Sequence, residues 1–322
     1  MHQFEYLSTQ FAERFNITHF DSKPASLYEP CNYFLGLGGK RIRPVLCLMG
    51  NELFGEIVDP DAFQMAAAIE LFHNFTLVHD DIMDRSPLRR GKPTLHVQYG
   101  SSTALLAGDI MLVAAYDYIN RSQTPHLRAI LQIFNRTAKE VCEGQQIDMD
   151  FEKLEQVGLD EYLNMIELKT SVLLAASLQI GAILGGAGLG NQELLYEFGK
   201  KLGLAFQVQD DYLDAFGDPA KFGKQVGGDI VADKKTFLLI KALETATPAQ
   251  HRQIKELQQT DSASKIAGMI QLFKNSGVDA WARELKEKYM EEAFQHLEDI
   301  AVLAKRKDPL RQLAAFLVQR EY

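Results

Sequence analysis

The chain is poor in cysteine: Cys31, Cys47 and Cys142 are all it holds in 322 residues. They show no metal-ligand spacing, and their odd number argues against a disulfide framework and suits a reducing cytoplasm. Positive charge is also short. With a formal net charge of −9, the surface is not expected to neutralise a nucleic-acid backbone directly. The ten prolines are scattered, and no Gly/Ser-rich or Pro-rich linker, charge block or internal repeat divides the sequence. One domain over residues 1–322 is therefore expected, with 46% hydrophobic residues to fill its core. No basic stretch followed by an apolar one opens the chain, so no secretory signal is expected and the localisation expected is cytoplasmic.

Strand-like alternation bounded by turns is scarce, whereas apolar residues recur at three- and four-residue spacing along almost every long segment. The class is all-α. The periodicity predicts helices near 3–15, 26–37, 42–54, 60–84, 94–100, 102–120, 125–148, 160–184, 191–214, 235–246, 249–258, 262–274, 277–305 and 309–320. Residues 171–190 carry no charge, long enough to span a bilayer. Ser171, Ser177, Gln179 and a cluster of glycines (Gly181, Gly185, Gly186, Gly188, Gly190) favour instead a helix buried in protein, with small residues admitting close helix packing.

The centre of the sequence is His79-Asp80-Asp81-Ile82-Met83-Asp84. On a helix, Asp80 and Asp84 lie one turn apart on one face, with Asp81 about 100° round. Carboxylates so close raise one another's pKa unless a cation sits among them, and hard oxygen ligands favour Mg²⁺ or Mn²⁺. A solvated acidic helix end is the other reading. The spacing recurs in Asp210-Asp211-Tyr212-Leu213-Asp214, again after an apolar helical run, and facing clusters of this kind would hold divalent ions that grip a phosphorylated substrate.

Cations accompany the acids. Gly38-Gly39-Lys40-Arg41-Ile42-Arg43-Pro44 joins two helices and projects Lys40, Arg41 and Arg43 at a helix start, an anion site or else a basic surface loop. Arg85-Ser86-Pro87-Leu88-Arg89-Arg90-Gly91-Lys92-Pro93-Thr94 cannot be helix and places Arg89 and Arg90 beside the first cluster. His73 lies two turns before Asp80, as a core histidine or facing a cavity. Phe75 and Phe72 lie about 7 and 12 Å behind Asp80 along the axis, as core packing or as an apolar floor. Gly108-Asp109 has only packing or support to offer, and the polar patch Glu143 to Asp148 closes a long helix. Lys169-Thr170 opens the uncharged run, where a lysine can also snorkel. Gln207 shares a face with Asp210 and Asp214. The loop from Phe222 to Ile230 is glycine-bearing, suited to a lid over a phosphate, with Lys224 in it and Lys234-Lys235-Thr236 beyond.

These motifs, in unbroken order over about residues 36–240, resemble the trans-isoprenyl diphosphate synthases (polyprenyl synthetases). The resemblance implies a terpenoid-synthase fold, a helix bundle around a deep central cavity, in a homodimer. It implies that Asp80, Asp84 and Asp210 bind Mg²⁺, three ions in all with Mn²⁺ as a substitute, and that Asp81, Asp211 and Asp214 support or share this. Arg89, Lys169, Lys224 and Lys234 would contact the allylic diphosphate; Lys40, Arg43, His73 and Arg90 would hold isopentenyl diphosphate; Thr170 and Gln207 would turn oxygen dipoles towards the cation. The residues four, five and eight positions before the first aspartate, Thr76, Phe75 and Phe72, would limit chain length. A small residue at the fourth position with an aromatic at the fifth resembles the C20 geranylgeranyl pattern, and the missing two-residue insertion in the acidic motif leaves C15 farnesyl second. The alternatives are a longer-chain synthase, a terpene cyclase, against which the Gly-Gly-Lys-Arg-x-Arg-Pro segment speaks, and a non-catalytic regulatory subunit, which would be expected to lack one acidic motif.

Overall fold

A computed structural model describes residues 2–17, 19–55, 60–217 and 226–319. It is all-α, as the periodicity predicts. Helices α1 to α10 span Phe4–Phe15, Ala25–Gly36, Ile42–Phe54, Pro60–Met83, Leu95–Tyr99, Ser101–Asn120, Leu127–Phe151, Leu159–Ile166, Val172–Leu184 and Leu189–Phe216. Further helices cover Gly228–Val231, Phe237–Thr245, Pro248–Leu257, Ser262–Asn275, Val278–Asp299 and Ala304–Gln319. The chain divides into two compact units: Met1–Asn135 with Ala176–Leu195 and Ala301–Pro309, and Arg136–Ala175 with Tyr196–Ile300 and Leu310–Tyr322.

In the first unit α4 packs on α3 and α6, and α6 also packs on α2 and α5. Pro60 opens α4 at a position where a missing N–H costs nothing, and the run Met65 to Leu71 is buried all round, so the helix ends as a rod fixed in the core. Its acidic terminus is thereby held in place. The expected close packing of the glycine-bearing run is found: a Cβ on Gly181 would collide with the Cys47 carbonyl, one on Gly185 with the Asn51 carbonyl, and one on Gly50 with the Leu178 carbonyl. Of the two helical stretches long and apolar enough to cross a membrane, Ser101–Asn120 and Leu159–Leu184, the second has 72% of its most apolar window buried in protein.

The second unit is centred on Phe198, Leu204, Val208, Phe237, Phe273 and Leu297, all buried. Between α8 and α9, Glu167–Ser171 is π-helical, where periodicity predicts an unbroken helix over 160–184. Two glycines hold this wider turn: Gly144 lies against the Lys169 backbone and Gly203 against Ser171, so close that neither site admits a Cβ.

Other departures have local causes. The predicted helix over 277–305 ends at Asp299, where Ile300 turns to extended backbone. The next begins at Ala304, with Pro309 inside it, because a proline in the second turn removes one bond without preventing the turn before it. Leu88–Arg89 and Lys92–Pro93 pair as a two-residue antiparallel ribbon, in a segment too short to show alternation. Its turn residues Arg90 and Gly91 both have positive φ, 53° and 73°, the requirement of the tight hairpin turn that follows strand twist.

Gly181→Ala is expected to destabilise the protein by about 1–3 kcal/mol, because a methyl group there must displace backbone on α3. A urea melt that leaves the midpoint unchanged would refute this packing.

Candidate active site

In the first unit, α4 ends in its acidic motif, and the three carboxylates have unlike surroundings. Asp81 is 2% exposed and receives two hydrogen bonds of 2.8 Å from Arg89, through Nε and Nη2. Burial pushes its carboxyl up, and Arg89 opposes that shift. Asp80 is half-buried, 3.6 Å from the same guanidinium, while Asp84 is exposed. Arg89, expected to meet a diphosphate, is thus engaged with Asp81 and Asp80.

The glycine-rich loop closes on the same region. Gly39, at φ 145°, lies against the Arg90 guanidinium, where a Cβ would come within 2.8 Å of Nη2. Arg41 adopts a left-handed conformation, φ 51°, and its guanidinium is bound by buried Glu70 and by the Leu35 carbonyl, over the Phe15 ring. It is a structural anchor rather than a free cation. Arg43 Nη1 lies 3.2 Å from His73 Nε2, and Lys40 is exposed at the loop end. Burial drives the His73 pKa well below the ordinary value, reinforced by the charges of Arg43, Arg90, Arg89 and Arg41. Two of these four guanidinium groups, Arg41 and Arg89, are paired with carboxylates, and Arg43 and Arg90 add further positive charge beside the neutral imidazole.

Behind Asp80, Phe72 is buried and Phe75 half-buried, with ring centroids 5.6 Å apart. Thr76 donates back to the His73 carbonyl at 2.8 Å. Gly108-Asp109 serves packing: Gly108 admits the His79 ring, whose Nε2 also reaches the Leu105 carbonyl at 3.2 Å and Asp109 at 3.6 Å.

In the second unit the middle carboxylate is again buried. Asp211 accepts from the Tyr162 hydroxyl and, at 2.8 Å, from Gln207 Nε2. Burial and the Asp229 charge push its pKa up, against those two hydrogen bonds. Gln207 pairs with Asp211, four residues on, and its Oε1 accepts from Thr170 at 3.4 Å. Both ends of this amide are therefore oriented by protein, while Oε1 keeps a second lone pair. The π-helical turn presents Lys169 to Asp148, 2.6 Å away, which gives the polar patch at the end of α7 its part. Asp214 accepts the Asp229 N–H at 3.0 Å at the start of Gly228–Val231, and Asp210 is half-buried and Lys234 exposed. Lys224 and the predicted lid residues up to Gln225 lie outside the described residues.

Tyr162 and Glu70 escape a reading by motif, and Asp148 is found by its patch but not its partner Lys169. Each is a buried or half-buried polar side chain contributed from a distant stretch, and sequence spacing carries no signal for its partner. The donor set is of hard oxygen. Among the described residues no three His, Cys, Asp or Glu side chains converge to hold an ion alone; hard oxygen donors of this kind suit Mg²⁺, which is usually held by one or two carboxylates together with substrate phosphates and water.

A family model described as polyprenyl synthetase matches residues 24–274. The chain is 36% identical over 312 residues to a short chain isoprenyl diphosphate synthase of Methanothermobacter thermautotrophicus, covering 96% of this chain and 95% of that protein. It is 36% identical to a geranylgeranyl diphosphate synthase of Methanosarcina mazei, with 94% and 92% covered. The crystal structure of a geranylgeranyl pyrophosphate synthase superposes with TM-score 0.94 at 42% identity, over 100% of both chains.

The depressed His73 pKa makes stability fall with acid. Below pH 6.5 the unfolded state takes up a proton that the folded state refuses, so stability is full above the unfolded pKa and declines as pH drops through it, by about 1.4 kcal/mol per pH unit. His73→Gln should remove this component. Unfolding free energies of both proteins from pH 7.5 to 5 test it: parallel curves would contradict a His73 held neutral in the folded state.

Proposed function

Because the chain belongs to the polyprenyl synthetase family, and is a prenyltransferase of that family's all-α fold, we propose that it condenses isopentenyl diphosphate head to tail with an allylic diphosphate. The product is a short-chain all-trans prenyl diphosphate, C20 in preference to C15. The observation that carries the reading lies within the first unit, where a guanidinium cluster round neutral His73 accompanies the carboxylates at the end of α4. One group suits a diphosphate bound directly and the other a diphosphate bound through a metal. Residues 1–322 act as a single polyprenyl synthetase domain.

In this proposal Asp80 and Asp84 hold Mg²⁺ on the first unit and Asp210 on the second, with Mn²⁺ as a substitute. Bound Mg²⁺ neutralises the leaving diphosphate and so eases cleavage of the allylic C–O bond. Lys40, Arg43 and Arg90 bind the isopentenyl diphosphate by charge-assisted hydrogen bonds, with His73 as a neutral partner that adds no charge of its own. Lys169 and Lys234 bind the allylic diphosphate, and Lys224 belongs to the same set by its motif. Arg89 acts chiefly through Asp81, keeping the helix end and the ribbon in register. Thr170 and Gln207 present oxygen dipoles to the allylic cation; the isopentenyl double bond attacks it, and the proton then leaves to the departing diphosphate. Such stabilisation is electrostatic and preorganised. Phe75 and Phe72 line the path of the growing chain.

Purified protein with Mg²⁺, isopentenyl diphosphate and, separately, dimethylallyl, geranyl or farnesyl diphosphate is expected to give linear C20 alcohol after dephosphorylation, identified by mass. Asp80→Asn should lower kcat by about 10²–10³-fold, the usual effect of removing one electrostatic stabiliser. No condensation with any primer would overturn the synthase reading in favour of a partner-dependent subunit or a cyclase.

A homodimer in the cytoplasm completes the proposal. On α6 the apolar Leu105, Leu106, Val113 and Tyr116 are exposed, Val113 by 56%, and a second copy of the chain would cover this stripe. Leu106→Arg with Val113→Arg should shift the sedimentation mass from dimer to monomer; a wild-type protein that sediments as a monomer would remove the assembly.

A further inference from the structure

The two aromatics behind Asp80 do not stand alone. Phe72 meets Phe134 edge to face, with centroids 5.2 Å apart at 68°. Phe134 lies on α7, is 3% exposed, and in turn meets Tyr116 of α6 edge to face, at 5.3 Å and 77°. The Tyr116 hydroxyl donates to Asn135 Oδ1 at 2.5 Å. Three rings therefore stand in series across three helices, each fixing the tilt of the next, and the last is tied by a hydrogen bond to the residue that follows Phe134. Edge-to-face pairs are directional, so each ring resists rotation of its neighbour. The Phe134 ring thus occupies volume beside the buried Phe72 and blocks its rotation to that side.

We propose that Phe134 is a positioning residue for product length, holding Phe72 across the path of the prenyl chain, and that Tyr116 and Asn135 hold Phe134. The inference rests on the reading that Phe72 and Phe75 limit elongation. It adds that their stopping power resides in part on α6 and α7, away from the acidic motif. No step of the condensation passes through Phe134, so its removal changes when elongation ends and not how fast the first condensation runs.

The experiment compares full-length wild type with Phe72→Ala, Phe134→Ala, Phe134→Leu, Phe134→Tyr, Tyr116→Phe and Asn135→Ala. Each is supplied with dimethylallyl diphosphate, isopentenyl diphosphate and Mg²⁺, and products are identified by mass after dephosphorylation. Phe72→Ala reports on the underlying reading and should lengthen the product. Phe134→Ala is expected to raise the ratio of products one C5 unit longer to the wild-type product by roughly two- to tenfold, the range set by releasing one side chain from an enforced rotamer. Phe134→Leu, Tyr116→Phe and Asn135→Ala should shift it less and in the same direction. Phe134→Tyr keeps the ring and should restore the wild-type length, and kcat/KM for the first condensation should stay within about twofold of wild type for the Phe134, Tyr116 and Asn135 variants.

If Phe72→Ala lengthens the product while every Phe134 and brace variant keeps the wild-type length, the inference fails and the reading of Phe72 survives. If Phe72→Ala does not lengthen it, that reading fails and the inference falls with it. A Phe134→Ala that loses rate with no change of length is a packing residue only, which also overturns the proposal. Should Phe134→Ala not fold, Phe134→Leu and the half-exposed Tyr116→Phe and Asn135→Ala decide the question.

Discussion

The first unit's chemistry depends on one buried ion pair. A carboxylate almost wholly removed from water, as Asp81 is, would be costly without compensation, and Arg89 supplies it with two hydrogen bonds in the planar fork that suits a carboxylate. The consequence is geometric. Arg89 sits on the short ribbon, so the pair ties that ribbon to the end of α4 and fixes the left-handed turn that carries Arg90. Arg90 then lies against Gly39, whose φ of 145° suits glycine, and the 38–44 loop brings Arg43 to His73. The middle aspartate of the motif organises cations, while its neighbours Asp80 and Asp84 keep more contact with solvent.

The second unit repeats the division of labour with neutral donors. Asp211 is held by Tyr162 and Gln207, and Gln207 by Thr170, so a buried carboxylate again orders the groups round it. Here the constraint on the backbone is the π-helical turn, which gives Lys169 and Thr170 their separate directions, towards Asp148 and Gln207. Such a turn is strained relative to an α-helix and persists where packing enforces it. The close contacts at Gly144 and Gly203 do so.

What the sequence made legible was periodic or local. The helices follow from three- and four-residue spacing, the acidic clusters from their position at helix ends, and the buried character of α9 from its glycines. Partner choice was not legible. Gln207 shares a face with Asp210 by spacing yet bonds Asp211, because Thr170 and the π-helical turn decide which way the amide faces. Arg41 stands in the same basic loop as Lys40 and Arg43, and only the fold, by placing Glu70 beside it, singles it out as an anchor. Pro309 inside a helix and the helix end at Asp299 are tertiary outcomes of the same kind.

Charge and shape answer different questions in this protein. A net charge of −9 disfavours extended polyanions, while the arginines near His73, two of them paired with Glu70 and Asp81, gather positive charge in a small region that in the proposed reading meets a diphosphate head group. Every allylic diphosphate, however long its tail, presents the same head group, so no arrangement of these charges can distinguish C15 from C20. Length has to be read by the apolar volume behind the head group. In the proposed assignment that volume would end, along α4, at Phe75 and Phe72, whose rings meet each other and, through Phe134, neighbours on other helices, so the stopping point of the chain could move while the acidic motif stays unchanged.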